Sequence, residues 1–153
     1  MKIEPLSKKH NRSAFDCGND ELNRYFHEYV SQDVRRRQNI CNVLVDDEVV
    51  VGFYTLAPHA LQASEAPQLS VGHRTTIPSF LLGKLAVDKK YRGQGYGTTL
   101  LKDSVQFCMT CTIQAPCIEV DLKSADLMPF YQKNGFEPIS ELRAIFRLPK
   151  TKL

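Results

Sequence analysis

No apolar run among the 153 residues approaches the ~18 that a membrane-crossing helix requires. The first ten residues carry charges with no apolar segment behind them, so a secretory leader is not expected and a cytoplasmic protein is. Charge of one sign is also scarce. Lys and Arg number 20 against 17 Asp and Glu, and a net charge of +3 does not by itself argue for a nucleic-acid partner. The five cysteines are an odd count that suits reduced thiols. Cys108 and Cys111 form a C-x-x-C with Cys117 following, but no second pair or nearby histidine completes a zinc site, so no metal is expected. Three apart on a helix, those thiols read instead as a core-facing stripe. Repeats, low-complexity tracts and interdomain linkers are lacking too. With 42% apolar residues, the chain is expected to form one domain over residues 1–153.

What is present is concentrated in residues 80–101, FLLGKLAVDKKYRGQGYGTTLL. An apolar run from Phe80 to Val87, flanked by Pro78, suits a buried strand. Asp88, Lys89 and Lys90 follow, then the glycine-spaced Arg92-Gly93-Gln94-Gly95-Tyr96-Gly97. Beyond Gly97, Leu100, Leu101, Ser104, Val105, Cys108 and Cys111 share one helical face. Strand, glycine loop and helix start together describe a phosphate cradle: glycines permit positive φ, and the first helical turn adds unpaired N–H donors and the positive end of the dipole. A Walker loop is excluded, because the sole Gly-Lys, Gly83-Lys84, precedes Leu85 inside the strand. A dinucleotide loop would need its third glycine one residue later, although Asp121 could serve as its ribose-binding acid. A tight strand-to-helix turn can also carry glycines for purely structural reasons.

Elsewhere the chain reads as follows. Residues 1–18 form an entry strand and loop. Asn19 caps a helix with Asp20 and Glu21 in its first turn, and Leu22, Tyr25, Phe26, Tyr29 and Val30 give it an inward aromatic face to about Gln38. That helix ends in Arg35-Arg36-Arg37, either a solvated surface favoured by the dipole or a phosphate-binding patch that Lys8, Lys9, His10 and Arg12 could join. Residues 40–45 and 49–56 read as a hairpin, and 57–79, with three prolines, as a long connection. A strand over 116–121, a short helix over 125–134 with Pro129 in its first turn and Phe130 and Tyr131 inside, a stop at Gly135, and strands over 137–140 and 143–148 complete the order β, α, ββ, β, α, β, α, ββ. The fold class is α/β: a mixed, mainly antiparallel central sheet with helices on both faces.

Two segments carry a resemblance. Arg92-Gly93-Gln94-Gly95-Tyr96-Gly97 resembles the coenzyme A pyrophosphate loop of the GNAT N-acetyltransferase superfamily, and Leu85-Ala86-Val87-Asp88 its fourth strand. Phe130-Tyr131-Gln132-Lys133-Asn134-Gly135-Phe136 resembles that superfamily's second signature. Phe15-Asp16-Cys17-Gly18, Leu22-Asn23-Arg24-Tyr25, Gln32-Asp33-Val34-Arg35-Arg36, Gly52-Phe53-Tyr54-Thr55-Leu56 and Leu82-Gly83-Lys84 resemble the branch holding the GNAT toxins of bacterial toxin–antitoxin modules.

The resemblance implies an acetyl-coenzyme A-dependent N-acetyltransferase of GNAT fold. It implies cofactor contacts at Leu85, Ala86, Val87, Arg92, Gly93, Gln94, Gly95, Tyr96, Gly97, Thr98, Ser124 and Tyr131. The Val87 N–H becomes the oxyanion donor and Tyr131 the acid for the departing sulfur. It further implies an aminoacyl-tRNA acceptor with Arg35, Arg36 and Arg37 as the tRNA patch, a ribbon-helix-helix antitoxin, and a homodimer. A small amine or a protein N-terminus as acceptor, and a non-catalytic coenzyme A-binding module, are the competing readings. No general base stands out. An α-amine, with pKa about 7.7–8.0, needs less help than a lysine at ~10.4. Glu119 and Asp121 are candidate water-mediated bases or solvated strand-end acids. Leu122, where relatives often have a small residue, and Pro129 depart from the family pattern.

Overall fold

The computed structural model describes residues 1–69 and 72–153; Ser70 and Val71, within the expected 57–79 connection, lie outside the described residues. Seven strands form one sheet in the order β1-β2-β3-β4-β5-β7-β6. These are β1 (Lys2–Pro5), β2 (Ile40–Asp46), β3 (Val49–Gln62), β4 (Thr76–Val87), β5 (Cys117–Asp121), β6 (Glu137–Pro138) and β7 (Arg143–Arg147). The β1–β2, β2–β3, β5–β7 and β6–β7 pairs are antiparallel. The β4–β5 pair is parallel and only three rungs long, from Phe80–Ile118 to Leu82–Val120. The expected element order and fold class are those observed. The final hairpin is shorter on its first strand, which spans Glu137–Pro138 alone.

The chain divides into two compact units, residues 1–57 with 83–104, and residues 58–82 with 105–153. Strands β3 and β4 contribute to both.

In the first unit, Phe53 of β3 faces an N-terminal helical segment, and its neighbours Gly52 and Tyr54 face the helix α3 (Tyr96–Thr110). Phe53 stacks on Phe26 at 4.3 Å between centroids, and Phe15 meets both rings edge-on at 4.9 and 5.5 Å. Val30, Val43, Val45, Val50 and Ala86 pack in the same cluster. On the other face the Tyr54 hydroxyl donates to Asp103 of α3 at 2.7 Å. Gly52 admits that helix: a Cβ there would sit 2.7 Å from both the Ala86 carbonyl and the Leu100 side chain. Helices therefore cover both faces. In α3, Leu100, Leu101, Ser104 and Cys108 are buried and Cys111 is half-buried, as the periodicity requires. Burial pushes the thiols of Cys41 and Cys108 up to about 12.

The N-terminal helix differs from its expected form. Asn19 does cap it, accepting from Leu22 N. But α1 (Asp20–Arg24) gives way to a π-helical turn over Tyr25–Tyr29 before α2 (Val30–Arg35). The Val30 N–H reaches back five residues to the Tyr25 carbonyl, and the extra residue rotates the later face. Val30 is buried while Tyr29, expected inside, is exposed beside Arg24. Packing of Phe26 under the sheet overrides the regular period.

The second unit corrects the reading of residues 57–79. Both ends of that stretch are strand: β3 runs on to Gln62 and β4 begins at Thr76, with 3₁₀ turns at Ala63–Glu65 and Pro67–Leu69 between them. Leu61 and Ile77 are the cause. Each buries its side chain in a cluster with Ala66, Cys117 and Ile145, and that apolar burial outweighs the breaking signal of Pro58 and Pro78. A short helix, α4 (Met128–Lys133), begins with Pro129 in its first turn and stops at Gly135, whose φ is +96°. A Cβ at Gly135 would also meet the Phe146 ring at 2.9 Å.

Candidate functional site

In the first unit, the loop after β4 supplies main-chain donors. Gly93 and Gly95 have φ of +76° and +84°, values only glycine adopts without cost. A Cβ at either would meet no protein atom within 4 Å, so the need for glycine there is conformational. The first helical hydrogen bond of α3 runs from Thr99 N to Gly95 O at 3.1 Å. The amides of Tyr96, Gly97 and Thr98 therefore precede the helix's own ladder. Gly93, Gln94 and Gly95 are exposed, and Tyr96, Gly97 and Thr98 half-buried. The donors and dipole of such a turn suit a diphosphate. Leu85 and Val87 are half-buried and Ala86 buried, on the part of β4 that continues past its last rung with β5.

The loop is held from below by the segment Phe15-Asp16-Cys17-Gly18. Asp88, buried, accepts from Asp16 N at 3.1 Å and Lys90 N at 2.9 Å. Lys89 N donates to Asp16 O at 2.9 Å. Asp16 itself accepts from Asn23 Nδ2 at 2.9 Å, Gly18 N at 2.8 Å and Lys89 Nζ at 3.0 Å. Those donors, Asn23 foremost, hold its carboxyl well below the usual range. The Arg92 guanidinium, expected among the cofactor contacts, donates to the Cys17 carbonyl. Gly18 makes room for it: its φ is +82°, and a Cβ there would lie 2.6 Å from Arg92 Nη2. Asp88 and Gly18 were not singled out as site residues, and spacing alone gives no sign of a tie spanning 72 residues.

Also in this unit, Arg35, Arg36 and Arg37 are all exposed, and Arg37 takes a left-handed φ of +58° as the helix ends. Of the three, Arg35 lines a pocket of about 380 Å³, with Lys8, Arg12 and the apolar Leu6 and Val34. Lys8 and Arg12 are thus brought to Arg35, though Arg12 also donates to the Phe26 carbonyl at 3.1 Å, while Lys9 pairs with Glu4 at 3.3 Å and lines another pocket. His10 lines the Arg35 pocket too, but is buried and bonded to Glu4 at 2.7 Å.

In the second unit, Tyr131 sits on α4, half-buried between Phe130 and Phe136, with ring centroids at 5.1 and 5.4 Å. No hydrogen bond among the described residues engages its hydroxyl, and burial pushes its pKa up to about 12. The phenol thus keeps its proton at neutral pH and can give a hydrogen bond to a developing anion. Ser124, exposed, donates its hydroxyl to Asp126. The same unit holds a charged cluster: Glu119, buried, meets Ser79, His59 and Arg143. Sequence marks Glu119 as a candidate base, whereas His59 and Ser79 lie in the proline-containing stretch that carries no catalytic signal.

A family model described as an acetyltransferase (GNAT) domain matches residues 36–138. A probable toxin TacT of Sinorhizobium fredii (strain NBRC 101917 / NGR234) is 27% identical over 163 residues, covering 96% of this chain and 90% of that protein. A tRNA-acetylating toxin of Mycobacterium tuberculosis (strain ATCC 25618 / H37Rv) is 30% identical over 128 residues, covering 82% and 77%. Among solved structures, AtaT complexed with acetyl-methionyl-tRNAfMet superposes with a TM-score of 0.88 at 24% identity, over 95% of this chain and 94% of that one. A tyrosine-to-phenylalanine mutant of AtaT, bound to the C-terminus of the antitoxin AtaR and acetyl-CoA, gives a TM-score of 0.81 at 24% identity, over 95% and 92%.

Proposed function

The chain belongs to the GNAT acetyltransferase domain family, and from that premise we propose that it moves the acetyl group of acetyl-coenzyme A to the α-amine of an aminoacyl-tRNA, as a toxin-like enzyme of the cytoplasm working as one domain over residues 1–153. The observation that carries the donor half is the loop after β4, where Gly93 and Gly95 hold positive φ and turn main-chain amides outward ahead of α3. Gly93, Gln94, Gly95, Tyr96, Gly97 and Thr98 hold the pyrophosphate through those amides. Leu85, Ala86 and Val87 offer the main chain of β4 beyond its last rung, with the Val87 N–H as donor to the carbonyl oxygen. Arg92 serves the same site from underneath, by fixing the loop to Cys17. Ser124 lies just ahead of α4 and is assigned to the same donor.

Tyr131 is the proton donor to the leaving sulfur. Its apolar surroundings and unengaged hydroxyl leave that proton committed to nothing else among the described residues. The acceptor half rests on likeness to a tRNA-acetylating toxin over 82% of the chain. It is supported by the convergence of Lys8, Arg12 and Arg35 on one pocket next to Arg36 and Arg37, a surface suited to phosphodiesters. A ribbon-helix-helix antitoxin that covers the enzyme, and pairing of two copies, complete the reading. No helix among the described residues is long and apolar enough to cross a membrane.

The test is transfer of radiolabelled acetyl groups to charged tRNA, with deacylated tRNA as control. Labelling of the charged form alone is expected. Labelling only of a free polyamine or peptide would reject the tRNA acceptor, and no uptake of acetyl-coenzyme A in calorimetry would reject the enzyme.

A further inference from the structure

One cluster in the second unit has no part in the chemistry above. The Glu119 side chain on β5 is 1% exposed, yet three donors converge on it. Ser79 Oγ of β4 donates to Oε2 at 2.5 Å, His59 Nδ1 of β3 lies 3.0 Å from the same oxygen, and Arg143 Nη2 of β7 reaches Oε1 at 3.3 Å. Burying a carboxylate is costly unless its oxygens are met, so the pair of Glu119 and Ser79 is a fixed platform. The imidazole above it is not buried: the His59 side chain is 43% exposed. A carboxylate accepting from Nδ1–H fixes the tautomer and leaves the Nε2 lone pair free. That is the arrangement by which a buried acid orients a histidine base.

Resting on the acetyl-transfer reading, we propose that His59 is the proton acceptor for the substrate's ammonium group, with Glu119 as the residue that positions it. Register favours the place. Glu119 pairs with Leu81, one rung before the β4–β5 ladder ends, on the same unit as Tyr131. Charge favours it too. The imidazole contacts Glu119 of β5, and Arg143 of β7 links that carboxylate to those of Asp121 of β5 and Glu65 of the 3₁₀ turn, bonding all three. Three acids against one guanidinium leave a negative remainder that draws a cation.

The proton ledger closes. The ammonium gives one proton to His59 Nε2, which releases it to solvent. The neutral nitrogen forms its bond to the acetyl carbon as the carbon–sulfur bond breaks. Tyr131 gives its proton to the departing sulfur, and the nitrogen's second proton returns to the phenolate oxygen.

The experiment compares the wild type with His59→Gln and Glu119→Gln. It reads kcat/KM against pH on charged tRNA, acetyl-coenzyme A affinity by calorimetry, and the His59 imidazole by NMR titration of the protein alone. In the wild type, the acid limb of kcat/KM is expected at the same midpoint as the imidazole's titration. In His59→Gln the limb should move up to the acceptor's own pKa, about 7.7–8.0 for an α-amine, so the rate falls about tenfold at pH 7 and not at pH 9. Glu119→Gln should lower kcat/KM with the limb still following the imidazole's own titration, while acetyl-coenzyme A affinity holds in both variants. His59→Gln changes an exposed side chain, so it stays informative should Glu119→Gln fail to fold. An unchanged profile in His59→Gln, or an imidazole midpoint away from the limb, overturns the proposal. No turnover of charged tRNA by the wild type, together with a loss of about a thousandfold at pH 7 for His59→Gln on a polyamine, would uphold His59 as the base but mark the acceptor as a lysine-type amine, which rejects the aminoacyl-tRNA reading alone.

Discussion

The two compact units solve different problems with different parts of the chain. In the first, the features that matter are main-chain features: positive φ at Gly93 and Gly95, free amides ahead of α3, and carbonyls and amides of residues 16–18 held by Asp88 and Arg92. Side chains there serve to hold backbone in place. In the second, the features that matter are single side-chain atoms: the Tyr131 hydroxyl and the Glu119 carboxylate with its donors. A backbone device tolerates many substitutions but not a change of φ. A side-chain device tolerates backbone drift less than it tolerates losing one oxygen. The units should therefore fail in different ways when mutated.

The largest effect expected is on folding, in the first unit. Phe26→Ala removes a fully buried ring stacked on Phe53 and should cost about 3–5 kcal/mol, seen as a drop in thermal midpoint. If the midpoint does not move, that unit is not organised around its aromatic cluster. Next comes Tyr131→Phe, which deletes one oxygen from the second unit. Turnover should fall at least ~100-fold, about 2.7 kcal/mol, with acetyl-coenzyme A affinity within about twofold. Equal losses in both would erase the contrast between chemistry and binding.

Gly95→Ala should invert that pattern. Holding an alanine at φ near +84° costs on the order of 1–2 kcal/mol, and calorimetry should show it mainly as weakened acetyl-coenzyme A binding. Smaller still are Arg36→Gln and Arg37→Gln, exposed positions expected to leave the thermal midpoint within about 0.5 kcal/mol. Each should flatten the salt dependence of tRNA binding by about one ion.

The last effect disappears in acid. The Asp16 carboxyl is held below its ordinary pKa, first by Asn23, then by Gly18 N–H and Lys89. Its stabilisation is present above the ordinary carboxylate value of about 3.9 and is lost as pH falls through the folded value. Asp16→Asn should therefore be less stable than wild type at neutral pH, and denaturant titrations below about pH 4 should bring the two together.

The same contrast explains what could be read from sequence. The stretch from Phe80 to Leu101 was legible because its signals are local: an apolar run, alternating glycines, then a helical period. Asn19, Pro129 and Gly135 were legible for the same reason, each a cap or stop acting within a few residues. The π turn was not, because the burial of Phe26 against Phe15 and Phe53 decides it. Nor was the strand identity of the residues flanking Pro58 and Pro78, which is set by Leu61 and Ile77 reaching a core shared with Cys117 and Ile145. The His59 and Ser79 contacts to Glu119 span 60 and 40 residues, beyond any spacing rule.

The Arg92–Cys17 tie joins positions 75 apart in sequence. Cutting that tie at Arg92 would thus slacken the turn while leaving every glycine of that turn, β1 and the Phe15 ring intact. A protein so altered would keep its fold elsewhere and still be silent. Solvent-exchange rates at the Gly93 and Gly95 amides would register the loss directly.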